Sequence, residues 1–273
     1  MAVQSGTSDT TTAGVFGRAA STFGVLGNFT YFGERLVAHA QVGEGDTVLD
    51  VATGRGAIAF SAARRVGPRG KVIGVDISPE MLQETAKELA TGQWPMIELH
   101  QMDAEHLSFP DSTFDCVLCG FALWFFPHPE QGLKEFVRVL KPGKRVALTT
   151  IARDSPWHNL ARETFRPFRS EASDGGPVSR FDTTDQLERA LKRAGLIDLR
   201  IVHEDFNAVV EKGDEGVWES LWSGGFRRTL EKLSESDLQV AKAGLFKRLE
   251  PLTQSDGVHL VFRALIAVAT KPS

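Results

Sequence analysis

The sequence predicts an α/β protein built on a doubly wound, mostly parallel sheet. Three observations predict it. Short apolar runs alternate with helix-forming stretches between Asp46 and Ile151. These runs are dominated by Val, Ile and Leu, as expected of strands covered on both faces. The first two end at a glycine turn and at an acid, the places where such a sheet meets its ligands.

The elements follow in order. Thr47 to Val51 is the first strand, and Ile58 to Val66 continues as helix. Lys71 to Asp76 is the second strand. Ser78-Pro79-Glu80 opens a helix that runs to Ala90, with Ser as the cap, Pro in the first turn and an acid after it. Met96 to Met102 and Phe114 to Cys119 are the third and fourth strands. Pro129 to Leu140 is a helix closed by Lys141-Pro142-Gly143, and Arg145 to Ile151 is the fifth strand. Residues 153 to 182 read as a loop, with Asp174-Gly175-Gly176-Pro177 as a breaker. Asp182-Thr183-Thr184 opens a helix ending at Gly195, and Leu196 to Phe206 is a strand. Residues 213 to 250 read as two helices, and Val258 to Ala269 as the last strand, making seven.

Before the sheet, residues 1 to 14 are rich in Ser, Thr and Gly and are expected to be mobile. Residues 15 to 40 carry an aromatic face on one or two short helices, suited to a lid. The expected organisation is an arm at 1–40, a ligand-binding core at 41–152, and a substrate side at 153–273 with a helical cap at 213–250.

Composition narrows the function. The 273 residues are 42% hydrophobic, enough for a sizeable core. Lys and Arg number 31 against 35 Asp and Glu, a formal charge of -4. No basic excess exists to drive a phosphate-backbone interface, so no nucleic acid partner is expected. No apolar run approaches the ~20 residues of a membrane span. The opening Met-Ala-Val-Gln-Ser-Gly-Thr lacks the charged and apolar regions of a signal peptide. Two cysteines make no disulfide framework, and a reducing cytoplasm is the expected location. Cys116 and Cys119 have zinc-like spacing, yet three residues apart on a strand they face opposite ways, so no metal is expected.

The sharpest local feature is Asp50-Val51-Ala52-Thr53-Gly54-Arg55-Gly56, a glycine turn between strand and helix. Glycines there let the backbone approach a ligand, and the free amides of a helix start meet polar groups. Asp76, at the end of the second strand, is placed to accept both hydroxyls of a ribose. A nicotinamide site usually wants Gly-x-Gly-x-x-Gly, whereas Ala52 and Ala59 stand at two of the hoped-for positions.

Together with Gly74 to Leu82, Asp103 to Asp111, Phe114-Asp115 and Arg138 to Gly143, this turn resembles the successive motifs of class I S-adenosylmethionine-dependent methyltransferases. The branch it is most similar to is the ubiquinone/menaquinone-biosynthesis C-methyltransferase type. The resemblance covers residues 40 to 152. It implies a Rossmann-like sheet of seven strands with the last antiparallel, S-adenosylmethionine as cofactor and S-adenosylhomocysteine as product. It also implies roles: Asp50, Ala52, Thr53, Gly54 and Gly56 flank the methionine moiety, and Asp76 holds the ribose. Ile77 and Met81 lie against the adenine, Asp103 accepts from its amino group with Ala104 beside it, and Cys119, Gly120 and Phe121 line the sulfonium end. Arg55 replaces a small residue and is placed to reach substrate or solvent; Trp124 stands where relatives often carry His.

Methyl transfer from a sulfonium gains much from alignment alone, and a protein base matters mainly for an alcohol or phenol. His158, just beyond the fifth strand, is the candidate catalytic residue. His128 reads as a helix-start residue and His39 as a surface helix position. Aromatic residues Phe23, Tyr31, Trp124, Trp157 and Trp222 are candidates for the substrate pocket. Arg162, Arg166 and Arg169 recur at helical spacing, either as a solvated face or as a handle for an anionic substrate. The expected reaction is methylation of a small, largely apolar metabolite, with carbon, oxygen or nitrogen as acceptor and a tilt towards natural-product biosynthesis. The alternative is a protein of the same fold that binds the cofactor but catalyses a rearrangement or cyclisation. A macromolecular substrate would need a basic docking surface, against which the charge speaks. A homodimer is compatible with the sequence.

Overall fold

One continuous sheet organises the computed structural model, which describes residues 11–168 and 180–273. The strands are β1 (Thr47–Val51), β2 (Lys71–Asp76), β3 (Ile97–Gln101), β4 (Phe114–Gly120), β5 (Leu140–Ile151), β6 (Ile197–Val210), β7 (Thr253–Gln254) and β8 (Gly257–Thr270). Their order is β3-β2-β1-β4-β5-β8-β6, with β7 paired to β8. The pairings β1–β2, β1–β4, β2–β3 and β4–β5 are parallel, and β8 runs antiparallel to both β5 and β6. This is the expected seven-stranded arrangement; the two-residue β7 is an addition, folded back on β8 through a short turn.

Helices flank both faces: α1 (Thr12–Ala19), α2 (Asn28–Ala40), α3 (Ala57–Val66), α4 (Pro79–Leu89), α5 (Pro129–Val139), α6 (Pro156–Phe165), α7 (Thr184–Arg193), α8 (Gly213–Leu221), α9 (Arg227–Leu230) and α10 (Glu235–Leu249). Leu36 and Val37 of α2 and Ala59 and Ala62 of α3 bury one face with Val48, Val72 and Leu118. Leu133 and Phe136 of α5 and Leu187 and Leu191 of α7 bury the other with Leu49, Val75 and Leu148. Cys116 belongs to the first core and Cys119 to the second, so the two thiols lie on opposite sides of the sheet. Burial pushes the Cys116 thiol up to about 12, and pushes that of Cys119 up as well.

A third core explains the cap. β6 and β8, at 14 residues each, outrun the five-residue β1. Their far halves bring Ala208, Leu260 and Phe262 together with Trp157 and Phe165 of α6, Val217 of α8, Leu230 of α9 and Leu245 of α10.

Three sequence expectations need correction. The stretch after β5 is not all loop. Ser155-Pro156 starts α6, and Trp157, Ala161 and Phe165, spaced four apart, form its buried stripe. The segment 213–250 holds α9 besides its two longer helices, because Gly224 and Gly225 interrupt the pattern. The fifth strand starts at Leu140 rather than Arg145, so Lys141-Pro142-Gly143, which closes the helix as expected, lies within it. The chain becomes extended at Leu140, and an irregularity in the β4–β5 register accommodates Pro142, which has no N–H to donate. Of residues 1 to 14, expected to be mobile, 1 to 10 lie outside the described residues, as do the breaker Asp174-Gly175-Gly176-Pro177 and Arg169, whereas Thr12 to Gly14 open α1 under the Thr11 cap.

Candidate functional site

The sheet order reverses between β1 and β4, and a crevice opens there beyond the carboxyl ends of the strands. After Val51 the backbone turns through three left-handed positions, Ala52 (φ 54), Gly54 (φ 53) and Gly56 (φ 76). Glycine adopts this region freely and an L-residue does so at a cost of about 1–2 kcal/mol. Ala52, where the sequence lacks the customary glycine, therefore carries local strain. Ala52→Gly is expected to stabilise the protein by about 0.5–1 kcal/mol once the extra freedom of the unfolded chain is subtracted. A rise in Tm measures it.

Two carboxylates set the turn. Asp50 is fully buried beneath it, and its Oδ2 accepts from Thr53 Oγ1 at 2.6 Å. Burial pushes the Asp50 carboxyl up to about 7, and its Oδ1 has no partner among the described residues. Asp76 joins the turn to the next helix. Its Oδ2 accepts from Gly54 N at 2.8 Å and its Oδ1 from Ser78 N at 2.9 Å. Each carboxylate oxygen can accept more than one hydrogen bond, so Asp76 keeps acceptor capacity for a ligand. Burial pushes the Asp76 carboxyl up against the pull of the Ser78 and Gly54 amides. Thr85 Oγ1 of α4 donates to Gly54 O at 2.8 Å and fixes the turn from the other side. Arg55 is half-buried and lines the cavity, as its place in the turn suggested, and its Nη1 donates to Ala20 O at 2.8 Å, tying the turn to the amino-terminal arm.

A cavity of about 1420 Å³ runs from this turn to the cap. Ala52, Thr53, Gly54, Asp76, Ile77, Met81, Asp103 and Ala104 line its β1–β3 side. Ile77 is 50% exposed on that wall, an apolar surface with nothing of the protein to cover it. Asp103 accepts from Glu105 N at 2.9 Å through Oδ1 and meets His106 Nδ1 at 3.0 Å through Oδ2. Gly120, Phe121, Phe23, Trp124, Trp157 and His158 line the rest of the expected site.

Five expected residues are not on the cavity wall. Asp50, Gly56 and Cys119 lie behind it, where they shape the turn and the β4 end. Tyr31 faces Phe206 at a ring distance of 5.0 Å, because the next residue along α2, Phe32, takes the cavity side. Trp222 is covered by Arg227, whose guanidinium lies 5.8 Å from the ring centre. Sequence reasoning missed Phe16, Phe29, Phe262, Thr149 and Arg228, which do line the cavity. The aromatic face of residues 15–40 could have singled out Phe16 and Phe29. Those rings form a chain: Phe23 stacks on Phe29 at 4.6 Å, and Phe29 meets Phe121 edge-on at 5.6 Å. Phe262, on β8, had no local signal.

The charges on the wall are unevenly distributed. Asp76, Glu88, Asp103 and Glu105 lie on the β2–β3 side together with Arg55 and Arg64 from the turn and α3, whereas Arg162, Arg166, Arg228 and Lys232 lie under the cap with Glu163 as the acid among them. Arg162 donates to Asn159 Oδ1 at 2.8 Å, Arg228 to Thr12 Oγ1 at 3.0 Å, and Arg166 pairs loosely with Glu163 at 3.6 Å.

The sheet order, the glycine turn and the acid after β2 define the fold as that of the class I S-adenosylmethionine-dependent methyltransferases. Residues 48–143 match the family described as a methyltransferase domain. The chain is 39% identical over 137 residues to the aklanonic acid methyltransferase DauC of Streptomyces sp. strain C5, covering 50% of this chain and 62% of that protein. It is 37% identical over 149 residues to the ubiquinone/menaquinone biosynthesis C-methyltransferase UbiE of Francisella tularensis subsp. novicida, covering 52% of this chain and 59% of that protein. The matches thus span about three fifths of those relatives' lengths. Among solved structures, phosphoethanolamine N-methyltransferase 2 of Haemonchus contortus, in complex with S-adenosylhomocysteine, shares the fold. It has a TM-score of 0.57 and 19% identity, over 89% of this chain and 53% of that one. Among the described residues, no helix is long and apolar enough to cross a membrane.

Proposed function

We propose that this chain transfers a methyl group from S-adenosylmethionine to a small, largely apolar metabolite. One observation carries the reading: the turn, Asp76 and the exposed Ile77 share a single cavity with the aromatic chamber under the cap. At about 1420 Å³ it exceeds the ~300–1,000 Å³ of an ordinary ligand pocket, so two small molecules can meet in it. When bound, S-adenosylmethionine supplies a methyl group already activated by a cationic sulfonium.

The residues present fit such a ligand. The spare acceptor capacity of Asp76 suits paired ribose hydroxyls, and hydrogen bonds from them favour the ionised carboxylate. Ile77 and Met81 offer apolar surface to a base, and Asp103 an acceptor for an exocyclic amine. A cation near the turn would favour ionised Asp50, whose Oδ1 lacks a partner. Gly120 and Phe121, at the end of β4, would form the passage to the acceptor. Phe23, Trp124 and Trp157 would exclude water from it, which strengthens every charge interaction inside. The arm at 1–40 and the helices at 213–250 would serve as lid and cap. The likeness to DauC supports a natural-product scaffold as acceptor, and the basic residues under the cap support one bearing oxygen functions.

Incubating the chain with methyl-labelled S-adenosylmethionine and a panel of hydroxylated quinones and aromatic acids tests the reading. Labelled product accompanied by S-adenosylhomocysteine is the expected result. Product formed without label would favour the rearrangement or cyclisation instead, and failure to bind either form of the cofactor would refute the assignment.

A further inference from the structure

His158 is expected from sequence as a base, but its hydrogen-bond partners give it the opposite polarity. Its Nδ1 lies 2.9 Å from Ser155 Oγ. Ser155 is fully buried, and its Oγ already accepts the backbone N–H of Arg263 at 3.0 Å. A hydroxyl has one hydrogen to give. The remaining partner of this one among the described residues is His158 Nδ1. If Nδ1 carried the proton, the buried hydroxyl hydrogen would be left unpaired away from water, which is costly. Nδ1 is therefore the acceptor, and the neutral ring keeps its hydrogen on Nε2.

The surroundings hold the ring neutral. Burial and the nearby Arg162 push the imidazole down to about 3. The other cation nearby, Arg263 of β8, is occupied by Asp205 and Asp154. The edge of the Phe262 ring closes one flank at 5.8 Å. Nε2 has no partner among the described residues, and His158 lines the cavity.

We propose that His158 meets the acceptor substrate as a fixed hydrogen-bond donor through Nε2–H, and that this substrate presents an oxygen with free lone pairs, as a carbonyl or an ionised enol, phenol or carboxyl group. The inference rests on the methyl-transfer reading and names the chemistry of its acceptor. The ring holds an oxygen and stabilises negative charge on it; it does not remove a proton. Ser155 acts through the ring as a positioning residue.

The tautomer can be read directly by two-bond ¹H–¹⁵N correlation spectra of the full chain labelled at histidine nitrogen, with His158→Gln giving the assignment. Nε2–H with no titration between pH 5 and 8 is expected for the wild type, and loss of that fixed tautomer in Ser155→Ala. A proton on Nδ1, or an imidazolium at pH 7, overturns the proposal. Binding supplies the second arm. With S-adenosylhomocysteine saturating, calorimetry compares 2-acetylnaphthalene with its isostere 2-isopropenylnaphthalene. The ketone is expected to bind at least about tenfold tighter to the wild type. His158→Gln, which keeps an N–H donor, should retain the preference, and His158→Ala should lose it. Equal affinity for the two probes, no binding of the ketone, or a preference that survives His158→Ala overturns the donor role. If S-adenosylhomocysteine itself fails to bind, the methyl-transfer reading falls, while the tautomer spectrum still reports on His158.

Discussion

Asp76→Ala should weaken S-adenosylhomocysteine binding at least tenfold, about 1.4 kcal/mol or more, because it removes a charged hydrogen-bond acceptor from the cavity wall. The carboxylate has two jobs. It lines the cavity, and its bonds to Gly54 N and Ser78 N hold the glycine turn against the start of α4. The alanine variant thus loses ligand contacts and also frees two buried amides. Asp76→Asn separates these effects. It keeps an acceptor oxygen for one amide, so it should recover much of the thermal stability while still binding weakly. Calorimetry on all three proteins is the measurement, and unchanged affinity in Asp76→Ala would remove the ribose assignment.

Gly56→Ala carries the largest expected loss of stability. Residue 56 sits at φ 76, where an L-side chain is strained. A methyl group there would lie 2.7 Å from the Phe60 ring and 3.1 Å from Thr85 Cγ2. Neither neighbour can easily give way: Phe60 packs on Trp94 at 5.2 Å, and Thr85 is hydrogen-bonded to Gly54 O. Backbone strain and overpacking together come to about 2–4 kcal/mol. For a chain of this size that is a drop in Tm on the order of 10 °C. Because Thr85 would move, S-adenosylhomocysteine affinity should fall too, although Gly56 does not line the cavity. Thermal melts with and without S-adenosylhomocysteine separate the two losses.

The cofactor half of the fold was legible in the sequence because its signals are local. β1, β2 and the caps of α4 are written in consecutive residues: an apolar run, a glycine turn, and Ser78-Pro79. The acceptor half was less legible because it depends on contacts between distant segments. Phe262 reaches the cavity only because β8, paired with β6, continues past the end of β5, and no nearby residue announces that. Tyr31 and Phe32 are equally aromatic, and the choice between them is set by the rotation of α2 against β6. α6 was readable, since Ser155-Pro156 followed by apolar residues four apart is a helix start. The reading as loop came from the glycine-rich segment that follows it. The polarity of His158 was beyond the sequence altogether. It depends on the Arg263 amide, more than a hundred residues away, taking one face of the Ser155 hydroxyl.

The placement of the two cysteines gives the protein an intrinsic chemical reporter. Both sulfurs are sealed within opposite cores of one sheet, and they are the only thiols in the chain. An alkylating reagent can therefore reach them only when the sheet itself comes apart, and its rate of uptake counts those openings. Ligands that lodge beside β1 and β4 should slow that clock in proportion to their occupancy, so a pulse of iodoacetamide can rank candidate acceptors without any assay of turnover.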